Sequence, residues 1–291
     1  MLLIIEALLL ISNALGQDHR AAAAEEEDIY PLDMALNSVD DQYDGCTNEM
    51  ADKVKNFYLG KERKSEIFNK AWQEGEKSAK KPEDNLKENH LIAIYVYTDL
   101  KVFNDFNYDA RSGKQKYKDE LYKWYSLQFL LTDAIQILKK TQNTCHDTFR
   151  ATKVKFKKNV LKKEVRFGSF ASSFLDFNKV KPFGNVSCFK IHTCEGANII
   201  KYSKLPHEKE VLIPPYEKFE VTDVSTNEKW CDTVFTLNST GRESYLNCSV
   251  ASKKLPKTLK STSKCMLSHL NLQEYMSYIS YTRIIYLLNY T

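Results

Sequence analysis

Residues 165–175 read VRFGSFASSFL, and this stretch decides the class of fold. An apolar and aromatic run that carries three serines predicts a β-strand. Further short runs of the same character follow it, separated by Gly, Pro, Asn and Ser, which favour turns. The second half of the chain is therefore predicted to be β-rich, with strands at Val165–Phe170, Val186–Thr193, Glu210–Ile213, Phe219–Val224, Cys231–Leu237 and Ser244–Val250.

The first half has a different periodicity. From Asn48 to about Lys80 the apolar residues recur at helical spacing, as with Ile67, Phe68, Ala71 and Trp72 on one predicted face. The run at 91–98, LIAIYVYT, fits either a helix or a strand. Helices first and strands later predict an α+β fold. A long amphipathic helix ending at Lys139 and Lys140 is also predicted, marked by Tyr117, Leu121, Trp124, Tyr125, Leu131, Ile135 and Leu138.

Length and net charge limit the classes of protein to which this chain can belong. The chain has 291 residues, of which 43% are hydrophobic, enough for the core of one domain of about 200 residues. The net charge of +4 argues against a nucleic-acid partner, since such domains usually carry a strongly basic face. The charge is nevertheless uneven, with an acidic run at 25–28 and a lysine-rich run at 153–163.

Both ends of the chain differ in composition from its middle. Residues 1–16 are mostly apolar and end with Ala14 and Gly16 before Gln17, which predicts a signal peptide. Residues 17–45 are predicted to be an acidic leader or flexible arm. The tail at 251–291 is moderately apolar, but Glu274 and Arg283 interrupt it, so secretion and surface attachment both stay open.

The number and spacing of the cysteines fit a secreted protein. None of the seven cysteines forms a Cys-x-x-Cys pair or shows zinc-ligand spacing, so disulfides in an oxidising compartment are expected and no metal is. An odd number leaves at least one thiol unpaired within the chain. Three glycosylation sequons, which begin at Asn185, Asn238 and Asn247, fit a secreted glycoprotein.

Three places carry candidate chemistry. Arg150 follows Cys145 at the entry to the β-rich half, where a guanidinium can hold a diphosphate with two parallel hydrogen bonds. Ser172 and Ser173 offer hydroxyls to a ribose or a carboxylate. Each of these residues, taken alone, also fits an ordinary surface or strand-end position.

The third place is the triplet Glu208-Lys209-Glu210, which leads into a predicted strand. In a strand, residues i and i+2 share a face, so the two carboxylates are expected side by side. Two acids that close repel each other and can divide labour, one stabilising a cation and the other deprotonating a nucleophile. An exposed charged loop is the plainer interpretation.

Taken together, the order and spacing of these three places resemble the arginine-specific ecto-mono-ADP-ribosyltransferase family, the NAD(P)(+)--arginine ADP-ribosyltransferases. That family's pattern is an Arg, then a Ser-containing strand, then Glu-x-Glu. The resemblance covers about residues 46–250, which would form the catalytic domain. It extends to the segments AIYVYT at 93–98, FLLTD at 129–133, VRFG at 165–168, FKIHTC at 189–194 and EVLIPPY at 210–216.

The resemblance implies a helical N-terminal part packed on a two-sheet β core that holds NAD, used as the ADP-ribose donor. Arg150 would grip the NAD diphosphate, and Ser172 would hold the nicotinamide-side ribose. Glu210 would bind that ribose and stabilise the cation formed as nicotinamide leaves. Glu208 would orient the acceptor guanidinium and take its proton, and Phe183 would lie against nicotinamide.

The resemblance also implies the partners. The acceptors would be arginine-containing proteins outside the cell or in the secretory lumen, and attachment to the membrane stays open. Disulfides would join Cys46 with Cys248 and Cys145 with Cys194. Cys188 with Cys231 is a third possibility, which would leave Cys265 free.

Two departures from the family pattern leave alternatives open. Ala151 stands where Gly is usual and would be strained if the backbone there needed positive φ. Phe174 replaces the last hydroxyl of Ser-x-Ser. The alternatives are a catalytically weakened or inactive protein that binds NAD or partners, and an enzyme that mainly hydrolyses NAD.

Overall fold

A computed structural model describes residues 29–253. The predicted signal peptide, most of the predicted tail and Cys265 lie outside these residues. Apart from a two-residue strand at Ile29–Tyr30, the described chain has the predicted order, helices before strands. The helices are α1 (Thr47–Lys53), which continues through a π-helical turn (Val54–Tyr58) into α2 (Leu59–Glu62), then α3 (Glu66–Ser78), α4 (Glu88–Tyr97), α5 (Leu100–Arg111), α6 (Lys114–Lys118) and α7 (Tyr125–Gln142).

Amphipathic helices build the helical core. In α3, Phe68, Ala71 and Trp72 are buried as predicted, whereas Ile67 is 54% exposed because it falls just outside the buried arc. The ambiguous run at 91–98 forms most of α4, whose residues are buried on nearly every side. Such a helix lacks polar–apolar periodicity, which is why its type could not be read from the sequence.

The prediction of a single long helix that ends at Lys140 is wrong, because the helix is interrupted between α6 and α7. Glu120 adopts positive φ of 61°, a conformation that does not continue a helix. The buried Glu62 carboxylate then accepts the backbone N–H of Ser126 at 3.0 Å and so supports the start of α7. Leu121, assigned to the buried face, lies in the break and is 70% exposed.

Eight of the described strands form one mixed sheet, and two more form a small parallel pair. The strands are β1 (Ile29–Tyr30), β2 (His146–Thr152), β3 (Lys155–Phe156), β4 (Glu164–Val165), β5 (Ala171–Phe174), β6 (Ser187–Thr193), β7 (Ala197–Asn198), β8 (Glu210–Ile213), β9 (Glu217–Glu228) and β10 (Cys231–Arg242). The order in the large sheet is β4-β9-β10-β6-β2-β5-β8-β7, and β6 and β10 are its one parallel pair of neighbours. The sheet brings β2, β5 and β8 side by side although they are far apart in sequence.

Two predicted strands differ from the structure. Only Val165 of the run at 165–170 is in a strand, because Gly168 turns the chain with φ of 69° before β5 begins. The run at 244–250 forms turns, with Cys248 at φ of 59°. The Cys46–Cys248 disulfide ties this segment to the start of α1 and away from the sheet.

The prediction of a flexible arm is wrong for residues 32–45. Val39 and Tyr43 belong to the helical core, and Asp40 forms a buried ion pair with Arg166, with 2.6 Å between its Oδ2 and the guanidinium Nη1. Arg166 also donates to the carbonyls of Met34 and Glu243. These buried contacts make the segment part of the folded domain.

All three disulfides implied by the resemblance are present: Cys46–Cys248, Cys145–Cys194 and Cys188–Cys231. In residues 29–253, no helix has both the length and the apolar character needed to cross a bilayer.

Candidate active site

Three predicted site residues lie on three adjacent strands. Arg150 is in β2, Ser172 in β5 and Glu210 at the start of β8. Arg150 Nη1 donates a 2.7 Å hydrogen bond to the Ser172 carbonyl, which fixes the guanidinium at the junction of β2 and β5. Across the described residues Arg150 has no carboxylate at ion-pair distance. Its half-buried positive charge is therefore available to an anion.

Glu210 is the buried acid of the site, with 3% of its surface exposed. Burial raises its pKa to about 7, and the nearby Glu208 charge raises it too, whereas the Ser172 hydroxyl and the Arg150 charge oppose the rise. Oxygen Oε1 of Glu210 has no hydrogen-bond partner among the described residues. An orphaned buried oxygen is costly unless a ligand donor satisfies it.

Tyr97 and Asn107 support this site from the helical layer, and the sequence did not single them out. The Tyr97 hydroxyl donates to the Phe170 carbonyl at 3.3 Å and accepts from Asn107 Nδ2 at 3.3 Å. The Ser172 hydroxyl interacts with both Tyr97 and Glu210. Tyr97 falls in the AIYVYT segment that carried part of the resemblance, whereas nothing in the sequence marked Asn107.

Glu208 reaches the site by a different route from the one predicted. It ends a 3₁₀ turn (Pro206–Glu208), and Lys209 adopts left-handed φ of 56° before β8 begins. The argument from strand alternation is therefore wrong, although Glu208 is close enough to Glu210 to raise its pKa. Glu208 is half-exposed, and partial burial raises its own pKa against the opposing charges of His207 and Lys179.

Phe183 lies beside this site in the turn between β5 and β6. Its ring stacks on Phe174, with 5.0 Å between centroids and 20° between the planes. Phe183 is 42% exposed while Phe174 is buried, so the outer face of the pair is open to a planar ligand. Aromatic rings of this kind contribute through offset stacking.

Ala151 carries no strain. Its φ is not positive. Ala151 lies within β2 opposite Cys188, and 5% of its surface is exposed. The backbone here is extended, so the condition under which Ala would be unfavourable is not met. The Gly-to-Ala departure does not distort the strand that carries Arg150.

Arg150 also lines a cavity of about 1100 Å³. Its walls include Arg111, Phe167 and the segment 30–37, but neither Glu208 nor Glu210. Arg150 thus borders the cavity and also acts on the charge of Glu210. This arrangement suits an elongated ligand whose central anionic group binds Arg150, with one end in the cavity and the other at Glu210.

The chain is similar to proteins of one known family. The family model described as "NAD:arginine ADP-ribosyltransferase" matches residues 32–245. The human GPI-linked NAD(P)(+)--arginine ADP-ribosyltransferase 1 is 32% identical over 240 residues, covering 75% of this chain and 73% of its own. The rat ecto-ADP-ribosyltransferase 5 is 33% identical over 266 residues, covering 84% of each chain.

Solved structures agree with the sequence relatives. The eukaryotic mono-ADP-ribosyltransferase ART2.2 superposes with a TM-score of 0.65 at 30% identity, covering 75% of this chain and 98% of its own. A variant of ART2.2 solved with NAD superposes with a TM-score of 0.63 at 29% identity, with the same coverage. The α+β fold with unequal sheets is therefore shared with that protein.

Proposed function

The chain belongs to the NAD:arginine ADP-ribosyltransferase family, and we propose that it transfers ADP-ribose from NAD to arginine side chains of other proteins, releasing nicotinamide. The observation that carries the proposal is the buried Glu210 carboxylate, which has an unpartnered oxygen and lies beside Ser172 and Arg150.

The residues fit NAD as a substrate. Oε1 of Glu210 would accept a hydroxyl of the nicotinamide-side ribose, which satisfies its orphaned position. Arg150 would hold the diphosphate, and the adenosine half would extend into the cavity that Arg150 lines. The open face of Phe183 would take the nicotinamide ring.

In the reaction, the bond between ribose C1′ and the nicotinamide nitrogen breaks, and nicotinamide leaves with the bonding electrons. The ribose is left with oxocarbenium character, a positive charge that forms beside the ionised Glu210. A preorganised carboxylate stabilises that charge more in the transition state than in the ground state, which lowers the barrier.

Glu208 would then serve the acceptor. A guanidinium has a pKa above 12, so it is a poor nucleophile until a base removes a proton. One guanidino nitrogen attacks C1′ as its proton passes to Glu208. The raised pKa of Glu208 makes it a stronger base than an ordinary surface glutamate.

We propose a catalytic domain that runs from about residue 32 to 250 and acts on the extracellular side. The three disulfides and the exposed asparagines of the three sequons support an oxidising, glycosylating route. Relatives named as GPI-linked or ecto enzymes support the same side of the membrane.

The proposal is tested by label transfer from NAD to agmatine, an arginine analogue, using the full chain made through the secretory pathway. We expect transfer by the wild type, loss of at least about a hundredfold in Glu210→Gln, and no loss in Glu228→Gln. Glu228 is exposed at the far end of β9 and makes a matched control for charge.

Two results would overturn the proposal. Nicotinamide release without transfer to agmatine would identify an NAD glycohydrolase. No turnover by a folded wild-type protein would identify a binding protein that has kept the fold.

A further inference from the structure

We infer that a basic rim around the site selects acceptor arginines that have acidic neighbours. The rim consists of Lys153, Lys157, Lys163, Lys179 and Lys181. This inference rests on the proposed function and names the class of protein substrate that the site takes.

The first part of the rim lies against the turn that carries Phe183. Lys181 belongs to the same 3₁₀ turn as Phe183. Gly184, which follows Phe183, packs closely against the end of β2. A Cβ added to Gly184 would lie 2.5 Å from the Thr152 carbonyl carbon and 2.6 Å from the Lys153 backbone nitrogen. The backbone of Lys153 and the turn that carries Lys181 and Phe183 therefore lie next to each other, and the Lys181 ammonium lies over the Phe177 ring, 5.9 Å from its centroid.

The rest of the rim borders the two ends of the site. The charge of Lys179 lowers the pKa of Glu208 against the effect of burial, so its ammonium acts on the proposed acceptor base. Lys157 and Lys163 line the cavity together with Arg150. The five lysines thus extend from the acceptor side to the cavity side.

No acid within residues 29–253 lies at ion-pair distance from any of these five ammonium groups. Three carboxylates around the rim have other partners. Asp33, which lines the cavity with Lys157 and Lys163, accepts the backbone N–H of Ala35 at 2.8 Å. Asp176 pairs with Lys209 at 3.6 Å, and Glu164 pairs with Lys218 at 3.1 Å. Within residues 29–253 the rim therefore has an excess of positive charge that an incoming protein must meet.

The consequence for an acceptor follows from electrostatics. An arginine approaching Glu208 is repelled by the rim unless its own surroundings carry negative charge. Screening at physiological salt limits this effect to about 8 Å, so acids close to the arginine matter most. Rim charges of this kind act mainly on association and on the choice of partner.

A sulfated polysaccharide or an anionic membrane would also bind exposed lysines. The position of the rim favours a protein acceptor, because the charge of Lys179 acts on Glu208 and because Lys153 and Lys181 lie at the turn that carries Phe183. The other two partners are outcomes of the experiment.

The experiment compares blocked peptides with one arginine flanked by two glutamates or by two glutamines on each side, with agmatine as a third acceptor. For the wild type we expect kcat/KM about tenfold higher for the acidic peptide, from several ion pairs each worth up to about fivefold. Raising NaCl to about 0.5 M removes the preference.

The matched variants isolate the rim. We expect Lys153→Gln/Lys181→Gln to reduce the preference to about threefold or less, without any fall in agmatine transfer, because agmatine is itself a cation that the rim repels. Lys55→Gln/Lys64→Gln removes the same charge from exposed positions of the helical part and leaves the preference intact.

The outcomes separate the inference from the proposed function. Normal agmatine transfer with equal rates on both peptides, or with an undiminished preference in Lys153→Gln/Lys181→Gln, overturns the inference alone. Retention on heparin or on phosphatidylserine vesicles without a peptide preference assigns the rim to that polyanion and also overturns it. Failure of the wild type to modify agmatine overturns the proposed function instead.

Discussion

Phe174 lies directly opposite Glu210 in the antiparallel pairing of β5 with β8. Residues paired in this way share a face of the sheet, with Cβ atoms about 5 Å apart. The buried Phe174 ring stacks on Phe183 and offers no hydrogen bond to the carboxylate. The lost hydroxyl of the family pattern thus coincides with the unpartnered oxygen of Glu210.

Replacing Phe174 with serine tests this relationship. A serine hydroxyl can donate to Glu210, so we expect the Glu210 pKa to fall and turnover below pH 7 to rise relative to the wild type. The lost ring contacts should reduce the free energy of unfolding by about 3–5 kcal/mol. Denaturant unfolding and the pH profile of nicotinamide release measure the two effects.

Phe174→Leu is the control for that substitution. It removes the stacking on Phe183 without adding a donor, so it should destabilise the fold without moving the pH profile. An equal shift of the profile in both variants would show that ring packing, and not the missing hydroxyl, sets the behaviour of Glu210.

The pH dependence of activity follows from the pKa of Glu210. Because burial raises this pKa to about 7 and the ionised form is required, kcat/KM for NAD should rise with pH with a midpoint near 7. The Ser172 hydroxyl lowers the pKa, so Ser172→Ala should move the midpoint to higher pH. The Glu208 charge raises it, so Glu208→Gln should move the midpoint to lower pH.

Nicotinamide release is the suitable measurement, since it does not require the acceptor base. Opposite shifts in the two variants are the critical observation. Shifts in the same direction, or an unmoved midpoint in both, would contradict the assignment of the titration to Glu210.

Ala151→Gly tests whether the departure from the family pattern is harmful. The backbone at Ala151 is extended and buried, so a glycine adds flexibility and removes packing there. We expect a loss of about 0.5–1 kcal/mol in the free energy of unfolding and no gain in activity. A gain in turnover with agmatine would show that the bound state needs a backbone conformation that Ala resists.

Asp40→Asn tests the inclusion of residues 32–45 in the domain. The substitution leaves the buried Arg166 guanidinium without its anionic partner, and breaking a buried pair in this way costs about 3–5 kcal/mol. Thermal unfolding of the secreted protein measures the loss. Asp44→Asn, at an exposed position four residues on, should leave stability unchanged.

Local patterns in the sequence determined the type of many secondary-structure elements in this protein. Helical spacing around Phe68 and Trp72, and short apolar runs such as 187–193, specify element type because burial requires a repeat of 3.6 or 2 residues. The order and spacing of the motifs matched the site pattern of one family at four residues, Arg150, Ser172, Glu208 and Glu210. Where the pattern was uninformative, as in the fully buried α4, only packing decided between helix and strand.

The tertiary structure decided what depends on residues distant in sequence. The sheet order places Arg150 beside the Ser172 carbonyl, and Lys209 in the left-handed region separates the turn that ends at Glu208 from the strand that begins at Glu210. The pKa of Glu210, the extended backbone of Ala151 and the contacts of Asp40 with Arg166 likewise arise from neighbours brought together by folding. The sequence by itself determined the elements and the chemical groups, whereas burial and relative position, which set their reactivity, exist only in the folded chain.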